Sequence, residues 1–199
     1  MGLRNIFFCA GLLAAFALLQ GCTGEFTPKP RAYPRVNYPA KKYELFSPAD
    51  CPFQFEKPVY TNTWEDSVFR GKIMKLPCWL NVGFPDFNGT INLTYKEIND
   101  TTSFEKLVGD AHKLSFNHTK KADYIDEILI HNPYGVGGIL YDVGGNAASQ
   151  VQFFLTDSNR HFIRGSLYFY NPPDADSMAP VVAFVKEDME HMLRTFQWK

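Results

Sequence analysis

The chain has 199 residues, 45% of them hydrophobic and 16% aromatic, with a formal net charge of −1 at pH 7. So balanced a charge gives no long-range attraction to nucleic acid, which sets that class of partner aside. The length, less an export signal, suits one domain with a substantial aromatic core.

The chain opens MGLRNIFFCAGLLAAFALLQGC. Arg4 supplies a positive start, Ile6 to Leu19 form an apolar run, and Gln20, Gly21 and Cys22 follow. That run is shorter than the roughly 20 residues that span a bilayer core, and it fits the central part of a secretory signal peptide. Leu19-Gln20-Gly21-Cys22 resembles the bacterial lipobox, with cleavage between Gly21 and Cys22 and lipid on the cysteine. An uncleaved membrane helix and an unlipidated signal peptide are the competing readings. The first conflicts with the length, and the second leaves Cys22 without a role. The Met-Gly opening raises myristoylation, but Ile6 stands where Ser or Thr is required.

Residues 1–21 are therefore expected as a lipoprotein signal peptide and 22–42 as a lipidated cysteine followed by a spacer. Pro28, Pro30, Pro34 and Pro39 favour an extended backbone there, and Lys29, Arg31, Arg35, Lys41 and Lys42 make it basic. Those cations suit attraction to an anionic lipid surface or simple solvation. Residues 43–199 are expected as a single domain, with no linker and no internal repeat.

Short strands broken by proline and glycine dominate Tyr43 to Tyr95. The clearest is Gly89 to Tyr95, where Ile91, Leu93 and Tyr95 alternate with Asn92 and Thr94. Thr102 and Glu105 have capping-box spacing ahead of a helix that ends near His118. Its apolar side is Phe104, Leu107, Val108, Ala111, Leu114 and Ser115. Gly137–Val143, Gln150–Leu155 and His161–Tyr170 read as three successive strands, the last two joined by a tight turn at Asp157-Ser158-Asn159. Val151, Phe153 and Leu155 share one face, as do Ile163, Leu167 and Phe169. Ser177 is the expected cap of a final helix, with Pro180 in its first turn and Val181, Val185, Met189, Met192 and Phe196 as its apolar stripe. Short connections favour antiparallel neighbours. The pattern predicts an α+β domain, a mostly antiparallel sheet flanked by helices, in an order that resembles the Mog1/PsbP/DcrB-like fold.

Motifs for chemistry are sparse. His112, His118, His131, His161 and His191 form neither an HExxH motif nor a cysteine–histidine cluster, so no metal shell is expected. Asp142 and Ser149 flank a glycine-rich turn without a nucleophile elbow, and the glycines are read as turn and strand-end residues. No dinucleotide fingerprint or phosphate-binding loop is present. With Cys22 lipidated, Cys51 and Cys78 are the only pair left for an intramolecular disulfide in the mature chain; two buried thiols are the alternative. Four Asn-x-Thr sequons, at Asn88, Asn92, Asn99 and Asn117, are discounted in a bacterial lipoprotein.

A set of short motifs then runs through the mature chain. It includes Lys29-Pro30-Arg31-Ala32-Tyr33, Cys51-Pro52-Phe53, Pro77-Cys78-Trp79 and Lys121-Ala122-Asp123. The longest continues Gly145-Asn146-Ala147-Ala148-Ser149 into Val151 to Ser158, and Thr195-Phe196 with Trp198-Lys199 closes the set. With the lipobox these residues resemble the gliding-motility lipoprotein GldD family of Bacteroidetes. The resemblance implies a non-enzymatic envelope lipoprotein that supports gliding motility and type IX protein secretion by stabilising or scaffolding a membrane-associated complex. It implies machinery proteins as partners, membrane attachment through Cys22, and neither cofactor nor catalytic residue. Thr23 after the cysteine, without an acidic run, points to the outer membrane facing the periplasm. The alternative is a lipid-anchored binding module for a small ligand or envelope polymer, marked by a concave pocket lined by Trp79, Tyr141, Phe154 and Tyr168. An exposed apolar patch rimmed by polar groups instead marks a protein partner.

Overall fold

The computed structural model describes residues 35–65, 68–69, 72–73, 77–100, 102–117, 121–172 and 174–199. The expected signal peptide, Gly21, Cys22 and the first part of the spacer lie outside the described residues, as does His118.

The chain forms strands β1 (Tyr43–Phe46), β2 (Phe53–Pro58) and β3 (Asn62–Glu65), a short pair β4 (Val68–Phe69) and β5 (Lys72–Ile73), then β6 (Trp79–Phe84) and β7 (Gly89–Glu97). Helix α1 (Phe104–Phe116) precedes β8 (Ala122–His131), β9 (Gly137–Gly145), β10 (Val151–Thr156) and β11 (His161–Phe169). Helix α2 (Ala175–Thr195) and β12 (Gln197–Trp198) complete the order. Seven strands make one sheet in the order β3-β6-β7-β11-β10-β9-β8, and every pairing in it is antiparallel. A second sheet runs β1-β2-β12. The fold is α+β, with antiparallel sheets flanked by two helices.

Side chains alternate between the faces of a strand, so the large sheet has two distinct surfaces. Val151, Phe153 and Leu155 of β10 join Ile163 and Leu167 of β11 in one buried cluster. Val181, Val185, Met189 and Met192 of α2, with Phe53 and Phe55 of β2, belong to the same cluster. Phe196, just after the helix, stacks on Phe53 and Phe55 with ring centroids 5.5 and 6.0 Å apart. Phe154 and Phe162 point the other way, into a smaller cluster with Leu107 and Ala111 of α1 and with Tyr141 and Val143 of β9. β10 is buried along its whole length because both faces are covered.

Three local expectations are corrected. Helix α1 is capped by Ser103, whose hydroxyl accepts from the Lys106 N–H at 3.3 Å, and not by a Thr102–Glu105 box. The Thr102 backbone is committed to a two-way bridge with Asn99, which delays the helix by one residue. Helix α2 starts earlier than Ser177: Asp174 is its cap and accepts from the Ser177 N–H, which leaves Pro180 inside the helix. Strand β8 has no counterpart among the strands expected from the sequence. As an edge strand it is largely solvated, so its residues lack the alternation that marked its neighbours.

Candidate functional site

On the α1 face of the large sheet, the register sets Tyr141 (β9), Gln152 (β10), Ser166 (β11), Asn92 (β7) and Asn81 (β6) side by side in one polar row. Gln152 is 0% exposed and Ser166 1%. The Asn92 amide donates to the Asn81 side-chain carbonyl. The Ser115 hydroxyl of α1 donates to Gln152 Oε1 at 3.3 Å, and the Arg164 guanidinium donates to the same oxygen. Three buried polar atoms on this face have no partner among the described residues: Tyr141 Oη, Gln152 Nε2 and Ser166 Oγ. Burial, then the Glu127 carboxylate, pushes the Tyr141 phenol up to about 12 against the pull of Arg164. Burial holds the Arg164 pKa below its ordinary value, and no carboxylate lies within ion-pair distance of it among the described residues.

Arg164 opens onto a groove of about 290 Å³ beside α1. Trp79, Leu107, Ala111, Leu114 and Phe162 form its apolar lining, and Thr94, Lys96, Asp110 and Arg164 its polar one. Of the four aromatic residues expected around a pocket, only Trp79 lines this groove. Tyr141 and Phe154 are buried in the cluster beneath α1, and Tyr168 is not among the lining residues.

The sheet has two edge strands, β3 and β8, and β8 is the longer. Leu129 is 84% exposed on β8, with Ile128 and Tyr124 also exposed, among the acidic Asp126 and Glu127, and Tyr134 is exposed in the turn that follows. A second groove, of about 250 Å³, runs between this edge and α2 and is lined by Ile128 to Asn132, Leu140, Glu190, Leu193 and Arg194. The β8–β9 pairing is irregular between Ala122 and Ile125. Opposite Ala122, Gly145 adopts φ +85°, and a Cβ there would meet the Asp123 backbone nitrogen at 2.8 Å.

A third cluster holds residues just upstream of β1 against α2. Asp188, 1% exposed, accepts from Lys41 Nζ at 2.7 Å and from the Tyr43 and Tyr60 hydroxyls at 3.0 and 2.5 Å. Lys41 also donates to the Phe184 carbonyl at 2.6 Å and lies 3.5 Å from the centroid of that ring. Tyr38 packs on Phe184 at 4.7 Å, and Val36 packs against the core. Burial first, then the bond to Asp188, raises the Tyr43 pKa to about 12, and the same causes raise that of Tyr60. The neutral phenols and the ammonium together satisfy a carboxylate that would otherwise be buried without partners.

Cys51 and Cys78 are bridged by a disulfide, their Cα atoms 5.5 Å apart, beside the larger core cluster. Asp142 pairs with Lys186 of α2 at 2.5 Å, whereas the Ser149 hydroxyl turns to the Val151 carbonyl, so the two do not meet as a reactive pair. His191 contacts Glu56 at 2.6 Å, His112 contacts Glu127 at 3.3 Å, and His161 bonds to Tyr95 at 2.8 Å. Among the described residues no three His, Cys, Asp or Glu side chains group as a metal site, and no helix is long and apolar enough to cross a membrane.

Comparison with curated proteins gives no match to this sequence. Among solved structures the chain is similar to the solution structure of cyanobacterial PsbP (CyanoP) from Synechocystis sp. PCC 6803. That similarity has a TM-score of 0.46 at 10% identity and covers 92% of this chain and 99% of that one. The sequence matches the family described as gliding motility lipoprotein GldD over residues 23–198. A match of that extent takes in α1, α2 and both main sheets, and the chain belongs to the gliding motility lipoprotein GldD family.

Proposed function

We propose that the folded domain scaffolds the gliding and type IX secretion machinery through its edge strand β8, while lipid on Cys22 holds it at the membrane. Family membership supplies the frame: this is a non-enzymatic envelope lipoprotein linked to gliding motility and type IX secretion. The observation that carries the partner role is the β8 edge. A strand at the border of a sheet presents unpaired backbone donors and acceptors, which an extended partner segment can complete as an added strand. Leu129, Ile128 and Tyr124 add apolar surface, and Asp126 and Glu127 provide the polar rim of a protein interface. Thr23 after the lipidated cysteine supports an outer-membrane position facing the periplasm. Several acyl chains on Cys22 give retention that one chain does not.

A photoreactive residue at Leu129 tests this in the native bacterium. The expected product is a crosslink to a component of the gliding or secretion machinery, diminished by Ile128→Asp at matched protein level together with secretion. Absence of that crosslink, with normal secretion in Ile128→Asp, overturns the assignment. A small-ligand role is the second reading, favoured by the groove at Arg164.

A further inference from the structure

We propose that the groove beside α1 is a binding site for a small amphipathic monocarboxylate, its carboxylate on Arg164 and its apolar tail against Trp79, Leu114 and Phe162. This does not rest on the role of the β8 edge.

The argument starts from charge. A guanidinium carries five N–H donors and no acceptor, and inside a protein its charge is ordinarily matched by an acid. Arg164 is only partly exposed, bonds to the neutral Gln152 amide, and faces no carboxylate at ion-pair distance among the described residues. Its orientation is nonetheless fixed, because Gln152 Oε1 also accepts from Ser115 on α1. Gln152 is thus held by the helix above it and holds the guanidinium in turn. Gln152 Nε2, Ser166 Oγ and Tyr141 Oη on the same sheet face are buried, lack partners among the described residues and do not line the groove, so Arg164 is the group that faces it. A guanidinium that lines a groove without a paired acid calls for an anionic acceptor there.

The lining decides which acceptor fits. Lys96 and Arg164 contribute two positive charges and Asp110 one negative, so the groove carries a net charge of +1 and suits a monoanion. A planar fork matches the two oxygens of a carboxylate in bidentate fashion. The remaining walls are apolar, and Leu114 is 46% exposed although it lies on the helix side that faces the groove. A volume of about 290 Å³ lies at the small end of ligand sites, roughly 300–1,000 Å³, which suits one short tail.

The test uses the complete mature chain with Cys22→Ser, so that no attached lipid competes, and decanoate against decanol as probes. Decanoate is expected to bind at a single saturable site about tenfold more tightly than decanol, the difference that charge-assisted bonds supply. Amide shift changes should centre on Thr94, Leu107, Leu114 and Arg164. Arg164→Gln should bring the two affinities to near equality. Leu114→Asp changes an exposed side chain, so the protein should still melt normally while decanoate binding is lost. Equal binding of decanoate and decanol by the unaltered groove, shift changes centred elsewhere, or full binding by a normally folded Leu114→Asp variant overturns the proposal.

Discussion

The two faces of the large sheet solve different problems with the same strands. The face under α2 is sealed with Val151, Phe153, Leu155, Ile163 and Leu167 against helix and second sheet. The α1 face alternates an apolar patch with a buried polar row and a cation, and a 13-residue helix leaves a groove beside it. The first arrangement maximises apolar burial. The second retains polar groups that add little to stability while unmatched, and such groups in a folded domain are explained by binding more readily than by packing.

The sharpest test of this division is a charge on the sealed side. Met192→Asp places a carboxylate at a position that is 3% exposed, and α2 should undock with loss of cooperative unfolding. An unchanged thermal melt would mean that the α2 face is not sealed. Removing the Cys51–Cys78 link by Cys78→Ser should cost about 3.5 kcal/mol, given the 27-residue separation it closes, and reductant should have no further effect on the variant. Denaturant midpoints with and without reductant measure this. On the α1 face the expected effect is smaller and of different sign. Ser166→Ala deletes a buried hydroxyl without a protein partner, so stability should stay within about 0.5 kcal/mol or rise slightly. A loss of more than about 1.5 kcal/mol would show that the hydroxyl is satisfied in solution.

The smallest effects are visible only at the limits of pH. The Tyr43 phenol has its folded pKa raised to about 12, so its neutral form contributes stability in full below its ordinary value of 10.0. That contribution is lost as pH rises through about 12, and Tyr43→Phe should flatten the alkaline limb of the melting profile. Asp157 behaves in the opposite sense. Burial pushes its pKa up, but bonds from the His161, Asn159 and Arg160 backbone N–H groups outweigh that and hold it below the ordinary carboxylate value. Its contribution is present above the unfolded carboxylate range and disappears as pH falls through the lower folded value. Asp157→Asn, which keeps an acceptor in the turn, should therefore make the acid limb shallower.

Much of the sealed face was legible in the sequence, because Val151, Phe153 and Leu155 of β10, Ile163 and Leu167 of β11, and the 3.6-residue stripe of α2 repeat at the spacing that puts them on one face. The Asp157 turn was legible for the same kind of local reason. β8 was not, since an exposed edge strand has no apolar alternation to read. The polar row escaped because Asn81, Asn92, Gln152 and Ser166 become neighbours only once the antiparallel register is known. Arg164 looked like an ordinary strand residue, and its unmatched charge emerges only from what surrounds it. Lys41 was read with the spacer cations because its partner, Asp188, lies 147 residues away.

The grip of Asp188 on Lys41 also sets a leash length. In the attachment proposed above, through Cys22, a chain pinned from Val36 onward would leave about 14 residues between lipid and domain, a reach of no more than roughly 45 Å at the polyproline rise per residue. Were the chain free up to Tyr43, the reach would be roughly 65 Å at the same rise per residue. The volume swept by the domain grows with about the cube of that radius, so pinning Val36 to Lys41 would confine the search for the proposed partner to about a third of the space. On that proposed attachment, the buried carboxylate on α2 would work as the stop on a line, keeping the domain in the layer next to its membrane.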